Sequence, residues 1–407
     1  MLGSGGRAIG TASRLSQIDM RSTTLNMPRG RMGKRRPRSG PSIYDARVAA
    51  GLSAALRRAR RGPGHRGEVP TPVDVSANRL VVLSDMHRGK RDRADDFRRC
   101  ESAYISALAH YDRAGYTLAL LGDVEELWKN RVDSVISAYE DVYAAESCFH
   151  ADGRLIRFWG NHDEEWASPT AVRHGLDPVH AGAPLEVRES LLLDVRLGDR
   201  SLGLLFLVHG HQGTGMSDGL AFLARFTVRF VWKPIQHLTA VSRNTPSRNR
   251  KVRERHHRAM RRWAEGHENL LLIAGHTHRP VFASVAIVDE LERRLGIDME
   301  EIRGRTEDQV FWDEIVSDCT DRGWLGDEAP CGPPREDDPP APNLFNSGCC
   351  CFQDGRITGI ELDDGRIRLV LWGGGRNEGR RVLARADLEN VFDRMSQVAG
   401  AAGKEPR

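Results

Sequence analysis

The sequence predicts a layered α/β protein, and two features of the chain lead to this fold class. From Arg79 onward, short apolar runs alternate with longer segments of helical pattern. Each run is continuously apolar, as expected for a strand that is buried on both faces of its sheet. The later part of the chain is richer in strands, so antiparallel strands should close the core.

The predicted strands follow the apolar runs in chain order. The first five are Arg79–Ser84, Tyr116–Leu121, Leu155–Trp159, Leu202–Val208 and Leu270–Ala274. The last three are Asn343–Phe352, Ile357–Leu362 and Ile367–Trp372. Between the final two lies Asp-Asp-Gly-Arg, residues 363–366, which is typical of a tight hairpin turn.

The charge of the chain is concentrated in three blocks, although the net charge is only +4. Residues 1–66 contain 15 Lys and Arg against two Asp, a net charge of +13. Residues 225–262 reach +11, whereas residues 289–338 carry −11. Blocks of this kind bear on partners or on pairing within the chain, and not on the fold.

Composition also predicts how the chain is divided. Residues 1–70 are rich in Gly, Ser, Pro and Arg, so we expect a largely disordered basic tail, within which Tyr44–Arg61 has the pattern of a short helix. The other predicted parts are a core domain over 75–385, a basic helical insertion at 214–268, an acidic insertion at 286–342, and a C-terminal helix and tail at 386–407.

Several classes of protein are disfavoured by the composition. No apolar run approaches the roughly 18–20 residues of a membrane span. The N-terminus lacks the apolar region of a secretory signal. Seven cysteines without a CxxC pair resemble neither a disulfide framework nor a zinc ribbon. We therefore expect a cytoplasmic protein.

The basic insertion raises the question of a membrane partner. At helical spacing Phe222, Phe226 and Phe230 align, beside the aligned cations Arg225, Arg229 and Lys233. Such a helix could lie on the anionic inner face of a membrane through residues 216–262, or cap an amphiphilic substrate. The alternative, which we favour, is a helix packed over the core, beside the polar motif residues described next. The basic tail lacks an aromatic stacking pattern, so nucleic acid is not an expected partner.

Polar residues with metal-ligand chemistry follow each of the first five predicted strands. Asp85 and His87 come after the first, and a spacing of two puts both on one side of an extended chain. The others are Asp123, then Asn161, His162 and Asp163, then His209, then His276 and His278. Sites in open α/β sheets form beyond the carboxyl ends of the strands, where all five motifs fall.

The type and number of these residues indicate a paired metal site. Nitrogen and oxygen ligands without thiolate suit Mn, Fe or Zn. Seven ligands are too many for one ion and suit two ions that share a carboxylate. Paired ions lie roughly 3.5–4 Å apart and can clamp a phosphoryl group.

The order of these motifs resembles that of the calcineurin-like metallophosphoesterase superfamily. The motifs are DxH, GDxxE, GNHD, a separate His and GHTH, and they span Asp85 to His278. The resemblance implies a four-layer α/β/β/α sandwich. It also implies hydrolysis of a phosphate ester or phosphoanhydride by a hydroxide that bridges two divalent ions. Mn²⁺ is the expected ion, with Fe or Zn as alternatives.

The resemblance further implies a role for each motif residue. The ligands of the first ion would be Asp85, His87 and His278. The ligands of the second would be Asn161, His209 and His276. Asp123 would bridge the two ions. His162 would donate a hydrogen bond to the phosphate or protonate the leaving oxygen, and Asp163 would orient the His162 imidazole.

The substrate class is indicated by two finer similarities. The GDxxExW pattern ending at Trp128 and the GHTHRP sequence at 275–280 are similar to the UDP-2,3-diacylglucosamine hydrolase branch. That branch carries Arg where this chain has His162, and the wider superfamily carries Asp-Arg where Glu126-Leu127 stands here. We expect a small phosphorylated, nucleotide-linked or lipid-linked substrate. The alternatives are a protein or nucleic-acid phosphoesterase, and a metal-bound interaction module with little catalysis.

Two further groups have chemistry that the motifs do not use. His211 is either an additional ligand or a structural residue, and a structural or solvent-facing role is favoured. Cys349, Cys350 and Cys351 fall in a predicted strand, where alternate residues face opposite sides. Three thiols so placed would not converge on one ion, so packing is the expected role.

Overall fold

Two seven-stranded sheets form the centre of the structure, which is a computed structural model of the chain. It describes residues 42–61, 70–181, 183–214, 250–286, 342–373 and 379–402. All of these belong to the unit Pro41–Arg407, and the unit Met1–Gly40 lies outside them.

The first sheet combines parallel and antiparallel strands. Its members are β2 (Leu80–Leu83), β3 (Thr117–Leu121), β4 (Leu155–Phe158), β5 (Val187–Arg188), β12 (Ile357–Asp363), β13 (Arg366–Trp372) and β14 (Arg380–Asp387). Their spatial order is β14-β13-β12-β2-β3-β4-β5. Strands β2 to β5 pair in parallel, and β12 joins them to the antiparallel part.

The second sheet is built in the same mixed way. Its members are β1 (Thr71–Asp74), β6 (Ser190–Leu197), β7 (Arg200–Val208), β8 (Leu270–Ala274), β9 (Pro280–Phe282), β10 (Val285–Ala286) and β11 (Leu344–Ser347). Their spatial order is β1-β6-β7-β8-β11-β9-β10. Strands β7, β8 and β11 are parallel, so their carboxyl ends share one edge.

Helices cover the outer face of each sheet. The described α-helices are α1 (Ile43–Arg61), α2 (Glu101–Arg113), α3 (Val132–Ala138), α4 (Glu140–Ala151), α5 (Pro169–Gly175), α6 (Arg250–Glu265) and α7 (Leu388–Ala402). Three short 3-10 helices lie at Phe97–Arg99, Glu164–Ala167 and Asp177–His180. In the described part of the chain, no helix combines the length and apolar character that crossing a bilayer requires.

The side chains of each strand alternate between two cores, and this alternation produces the layers. In β2, Val82 packs between the sheets, whereas Val81 and Leu83 pack against the helices. Residues of α1 and α6 pack in the same way on the outer face of the second sheet. The order helices, sheet, sheet, helices is the four-layer sandwich, and the predicted fold class is confirmed.

The strand predictions can be compared with the structure directly. All five early apolar runs contain strands, and β12 and β13 form the predicted hairpin. Asp364 and Gly365 at its turn have φ of 52° and 67°, as a tight two-residue turn requires. The predicted strand Asn343–Phe352 is shorter than expected, because β11 ends at Ser347 and Gly348 turns the chain with φ of 79°.

Regular structure is found on both sides of the predicted core domain. Within the expected tail, α1 buries Val48, Leu52, Ala55 and Leu56, whose spacing forms one apolar face. Strand β1 begins before residue 75, and α7 follows β14 without a gap and packs on the core between the sheets. Residues of α1, β1 and α7 thus pack with the two sheets.

Much of both predicted insertions lies outside the described residues. Of the basic insertion, the structure describes α6 over Arg250–Glu265. The Phe222–Lys233 segment and residues 287–341 of the acidic insertion are not among the residues described.

Candidate metal centre

Five loops meet where the parallel strands of the two sheets end. They follow β2, β3, β4, β7 and β8, and each carries one of the predicted motifs. Backbone hydrogen bonds join the first two loops: Asp85 N–H donates to Gly122 O over 3.1 Å, and His87 N–H donates to Asp123 O over 2.9 Å. The structure thus brings the predicted residues of separate loops to one place.

The backbone at this place is in an unfavourable conformation. Five of the seven predicted ligands have positive φ: Asp85 (56°), His87 (51°), Asp123 (52°), His276 (67°) and His278 (54°). A left-handed backbone costs a residue with a Cβ on the order of 1–3 kcal/mol, and it persists only where the surroundings impose it. Such strain is typical of functional sites.

The first cluster contains Asp85, His87 and His278. His278 Nε2 lies 3.3 Å from Asp85 Oδ1 and 3.0 Å from His87 Nε2. Burial, together with the charge of His162, lowers the pKa of His87 to about 3, so its imidazole is neutral. Two imidazole nitrogens and a carboxylate oxygen therefore converge, and the three side chains could hold a metal ion.

The second cluster contains Asp123, His209 and His276, which could also hold an ion. His209 Nδ1 donates to Leu121 O over 2.8 Å, so its Nε2 carries the lone pair in the neutral ring. This Nε2 is buried without a hydrogen-bond partner and lies 3.2 Å from Asp123 Oδ2. Burial opposes protonation, but the Asp123 carboxylate raises the pKa of His209 to about 9. Two acceptors facing each other need a cation between them, either a proton or a metal ion.

The carboxylate of Asp123 faces both clusters. Its Oδ2 lies 3.7 Å from His87 Nε2 in addition to its 3.2 Å approach to His209. Asn161 contributes a buried Oδ1 that has no hydrogen-bond partner. These unsatisfied oxygen and nitrogen atoms are the kind that a divalent ion would satisfy, so the residues present fit a metal site.

The ligand loops are held by residues behind them. Asp85 accepts the His276 backbone N–H, and Asn346 Nδ2 donates to Gly275 O over 2.6 Å. His256 of α6 donates from Nε2 to Gly210 O over 2.7 Å, and Tyr44 of α1 donates to His256 Nδ1 over 2.8 Å. Helices α1 and α6 therefore support the loop that carries His209.

His162 is oriented by Glu126, a residue that the sequence interpretation did not assign to the site. Its Nδ1 lies 3.0 Å from Glu126 Oε1, and its ring stacks on Trp128 with centroids 4.0 Å apart. Burial acts against the charged imidazole, but Glu126 outweighs it and raises the pKa of His162. Since Nδ1 is occupied, Nε2 is the nitrogen available to a substrate. In the sequence, the position of Glu126 three residues after Asp123 is the feature that could have identified it as a site residue.

Asp163 does not make the predicted contact with the His162 imidazole. Its carboxylate accepts backbone N–H bonds from Asp123 (3.2 Å), Val124 (2.8 Å) and Gly160 (2.6 Å). The two neighbouring side chains diverge at the bend after β4, where His162 contacts Glu126 and Asp163 faces the backbone of the loop after β3. Asp163 thus ties the loops after β3 and β4 together.

His211 is buried, and its ring lies 5.4 Å from that of His209. Burial and the charge of His209 lower the pKa of His211 to about 3. Its Nδ1 has no hydrogen-bond partner. His211 therefore does not face the solvent. It is either a structural residue or an additional ligand.

Comparisons with known proteins add little to this site. No family model matches the chain. No curated protein matches it either. Among solved structures, the chain is similar to a conserved uncharacterized protein of Streptococcus pneumoniae TIGR4 that is described as a predicted phosphoesterase. The identity is 10%, the match covers 75% of this chain and 97% of that chain, and the TM-score is 0.25. At these values the neighbour's function does not transfer to this chain.

Proposed function

We propose that this chain is a metal-dependent phosphoesterase that works with two divalent ions. The observation that carries the proposal is the pair of adjoining His and Asp clusters that face one Asp123 carboxylate. The first ion would be held by Asp85, His87 and His278, and the second by Asn161, His209 and His276. Asp123 would contact both.

The ionisation of the ligands supports this assignment. The pKa of His276 lies well below its usual value, because of burial and then the neighbouring His256 and His209. His87 and His276 therefore present lone pairs. Asp85 opposes the effect of burial and raises the pKa of His278, as Asp123 does for His209. Divalent ions would replace the protons that these two Asp-His pairs otherwise share.

Bound divalent ions would supply Lewis acidity toward a phosphoryl oxygen and make water a stronger nucleophile. The chain's own contribution is to orient the substrate and to move a proton. His162 Nε2–H, kept protonated by Glu126, would donate to the leaving oxygen of the ester. The stacked Trp128 ring restricts the His162 imidazole to one orientation.

The substrate class follows from the same proposal. A small phosphorylated molecule, either nucleotide-linked or lipid-linked, fits the motif similarities, and Mn²⁺ is the first ion to test. For a lipid-linked substrate, we further propose that the basic segment 216–262 contacts an anionic membrane.

The test is hydrolysis by metal-stripped protein with Mn²⁺ added back, on a soluble phosphomonoester, a phosphodiester and a UDP-linked lipid-sugar. We expect Mn²⁺-dependent turnover of at least one. Asp123→Asn should lower kcat/KM by more than about 100-fold and reduce the bound metal, since it removes a charge shared by both ions. Asp133→Asn, at a carboxylate 84% exposed on α3, is the matched control and should change neither.

Two results would count against the proposal. Asp123→Asn with full turnover and full metal content would remove the shared carboxylate from the mechanism. Two bound ions without turnover of any of the three substrates would favour a metal-bound interaction module.

A further inference from the structure

A second kind of metal-ligand cluster lies on the far side of His278. The ligand atoms of His278, Cys349 and Cys351 all lie within 4.8 Å of one another. Cys351 Sγ is 3.6 Å from His278 Nδ1, whereas the other ring nitrogen, Nε2, faces Asp85 at 3.3 Å. Both cysteines are buried free thiols. One imidazole thus separates a carboxylate cluster from a pair of thiols.

The separation between Cys351 and His278 matches that of two ligands in a tetrahedral thiolate site. With Zn–S of about 2.3 Å and Zn–N of about 2.0 Å, tetrahedral angles place ligand sulfur and nitrogen about 3.5 Å apart. The observed separation of 3.6 Å between Cys351 Sγ and His278 Nδ1 agrees with this value. A small ion could therefore be bound without a large movement of the chain.

The local backbone explains why two of the three consecutive cysteines converge. Strand β11 ends at Ser347, and the positive φ of Gly348 turns the chain before Cys349. Residues 349 and 351 then face His278. Cys350 points to the opposite side, where it packs with the core beneath α2 and its Sγ lies 3.9 Å from Thr358 O. All three cysteines are buried, but only Cys349 and Cys351 also lie beside a metal-ligating side chain.

We propose that Cys349, Cys351 and His278 Nδ1 form a binding site for a thiophilic divalent ion of the Zn²⁺ or Cd²⁺ class. Two sulfur ligands and one nitrogen ligand favour such ions over Mn²⁺ or Mg²⁺, and a water would complete the four-coordinate shell. The His278 side chain is 15% exposed, so one member of the site contacts solvent.

An ion bound to the two thiols and His278 Nδ1 would compete with the ion of the first cluster, because both ions need His278. A neutral imidazole has one lone pair, so an ion bound to Nδ1 leaves the ring proton on Nε2. His278 Nε2 then has no lone pair for an ion at Asp85. A thiophilic ion should therefore inhibit hydrolysis, an expectation that rests on the proposed phosphoesterase function.

The test is a titration of the full-length protein, reduced and loaded with Mn²⁺, with Cd²⁺ alone as the probe. Formation of Cd–thiolate bonds gives an ultraviolet charge-transfer absorbance. We expect a band that saturates at one Cd²⁺ per chain. Cys349→Ser and Cys351→Ser should each weaken Cd²⁺ binding at least tenfold, and the double variant should lose the band.

Cys350→Ser and Cys148→Ser are the matched controls and should keep the band, since Cys350 faces away and Cys148 is exposed. Circular dichroism melting checks that each variant is folded. If a serine variant does not fold, His278→Gln serves as the second probe, and it should also weaken Cd²⁺ binding. A band of equal strength in the double variant, or no band in the native chain, would overturn the proposal.

The absorbance does not depend on turnover, so the two proposals can fail separately. A Cd²⁺ band without any hydrolysis would leave the thiol site standing and remove the phosphoesterase function. Hydrolysis with Mn²⁺ but no band would do the reverse. With both present, Cd²⁺ should inhibit the native chain and leave the double variant at least tenfold less sensitive.

Discussion

Glu126 controls the charge of His162 in the candidate site. Its carboxylate lies 3.0 Å from His162 Nδ1, and its other oxygen lies 3.8 Å from His87 Nδ1. Burial raises the pKa of Glu126, but the imidazole of His162 outweighs burial and holds that pKa below its usual range. The carboxylate is therefore ionised at neutral pH and favours the imidazolium form of His162.

Removing the charge of Glu126 should move the pH dependence of hydrolysis. In the proposed mechanism His162 is the general acid, which works only while it is protonated, so activity should fall as the pH rises through the pKa of His162. Glu126→Gln removes the group that raises this pKa, so the alkaline limb of the kcat profile should shift to lower pH. Glu126→Asp keeps the charge and should restore much of the native profile. An unchanged limb in Glu126→Gln, at equal metal content, would exclude His162 as the acid.

At the scale of elements, the loop after β2 is anchored by a buried charge. Arg88 is fully buried, pairs with Glu146 of α4, and has its guanidinium 5.1 Å from the Tyr143 ring centroid. Its backbone bridges to Glu125, which pairs with the buried Arg157. Helix α4 thereby fixes the loop that carries Asp85 and His87 against the loop that carries Asp123.

Breaking this buried pair should destabilise the fold strongly. Glu146→Ala leaves Arg88 as an uncompensated buried cation, and such losses cost about 3–5 kcal/mol. Chemical denaturation should show a corresponding fall in the free energy of unfolding. Glu140→Ala, at an exposed position in the first turn of α4, should cost less than about 1 kcal/mol. Equal small losses in both variants would show that Arg88 finds another partner.

At the scale of the whole molecule, the N-terminal helix completes the sandwich. Helix α1 contacts α6 and β6 and buries Leu52 against the outer face of the second sheet. Tyr44 in its first turn also reaches His256, behind the loop of His209. A segment that lies far from the motifs in sequence therefore belongs to both the core and the support of the site.

Truncating Leu52 should measure this contribution. Leu52 is fully buried, so Leu52→Ala should lower the free energy of unfolding by about 2–5 kcal/mol. Arg57→Ala changes an exposed residue of the same helix and should have an effect within about 0.5 kcal/mol. Thermal and denaturant unfolding of the two variants give the comparison. Equal stability would mean that α1 does not pack on the sheet in solution.

The amino-acid sequence by itself determined the strand positions and the residues that meet at their ends. A buried strand needs about five consecutive apolar residues, and a site residue follows the strand directly, so both are properties of short stretches of chain. The fold class, the β12–β13 hairpin and the candidate ligands could be predicted for this reason.

Only the tertiary structure decided which side chains face each other. Glu126 contacts His162 across 36 positions, and Cys351 contacts His278 across 73. Asp163 turns to the backbone of another loop although it is adjacent to His162. Local patterns do not contain these choices, because they depend on how separate strands stack and on which buried polar atoms must be satisfied. The packing of α1 was decided in the same way, by the apolar outer face of the second sheet, against which α1 packs beside α6.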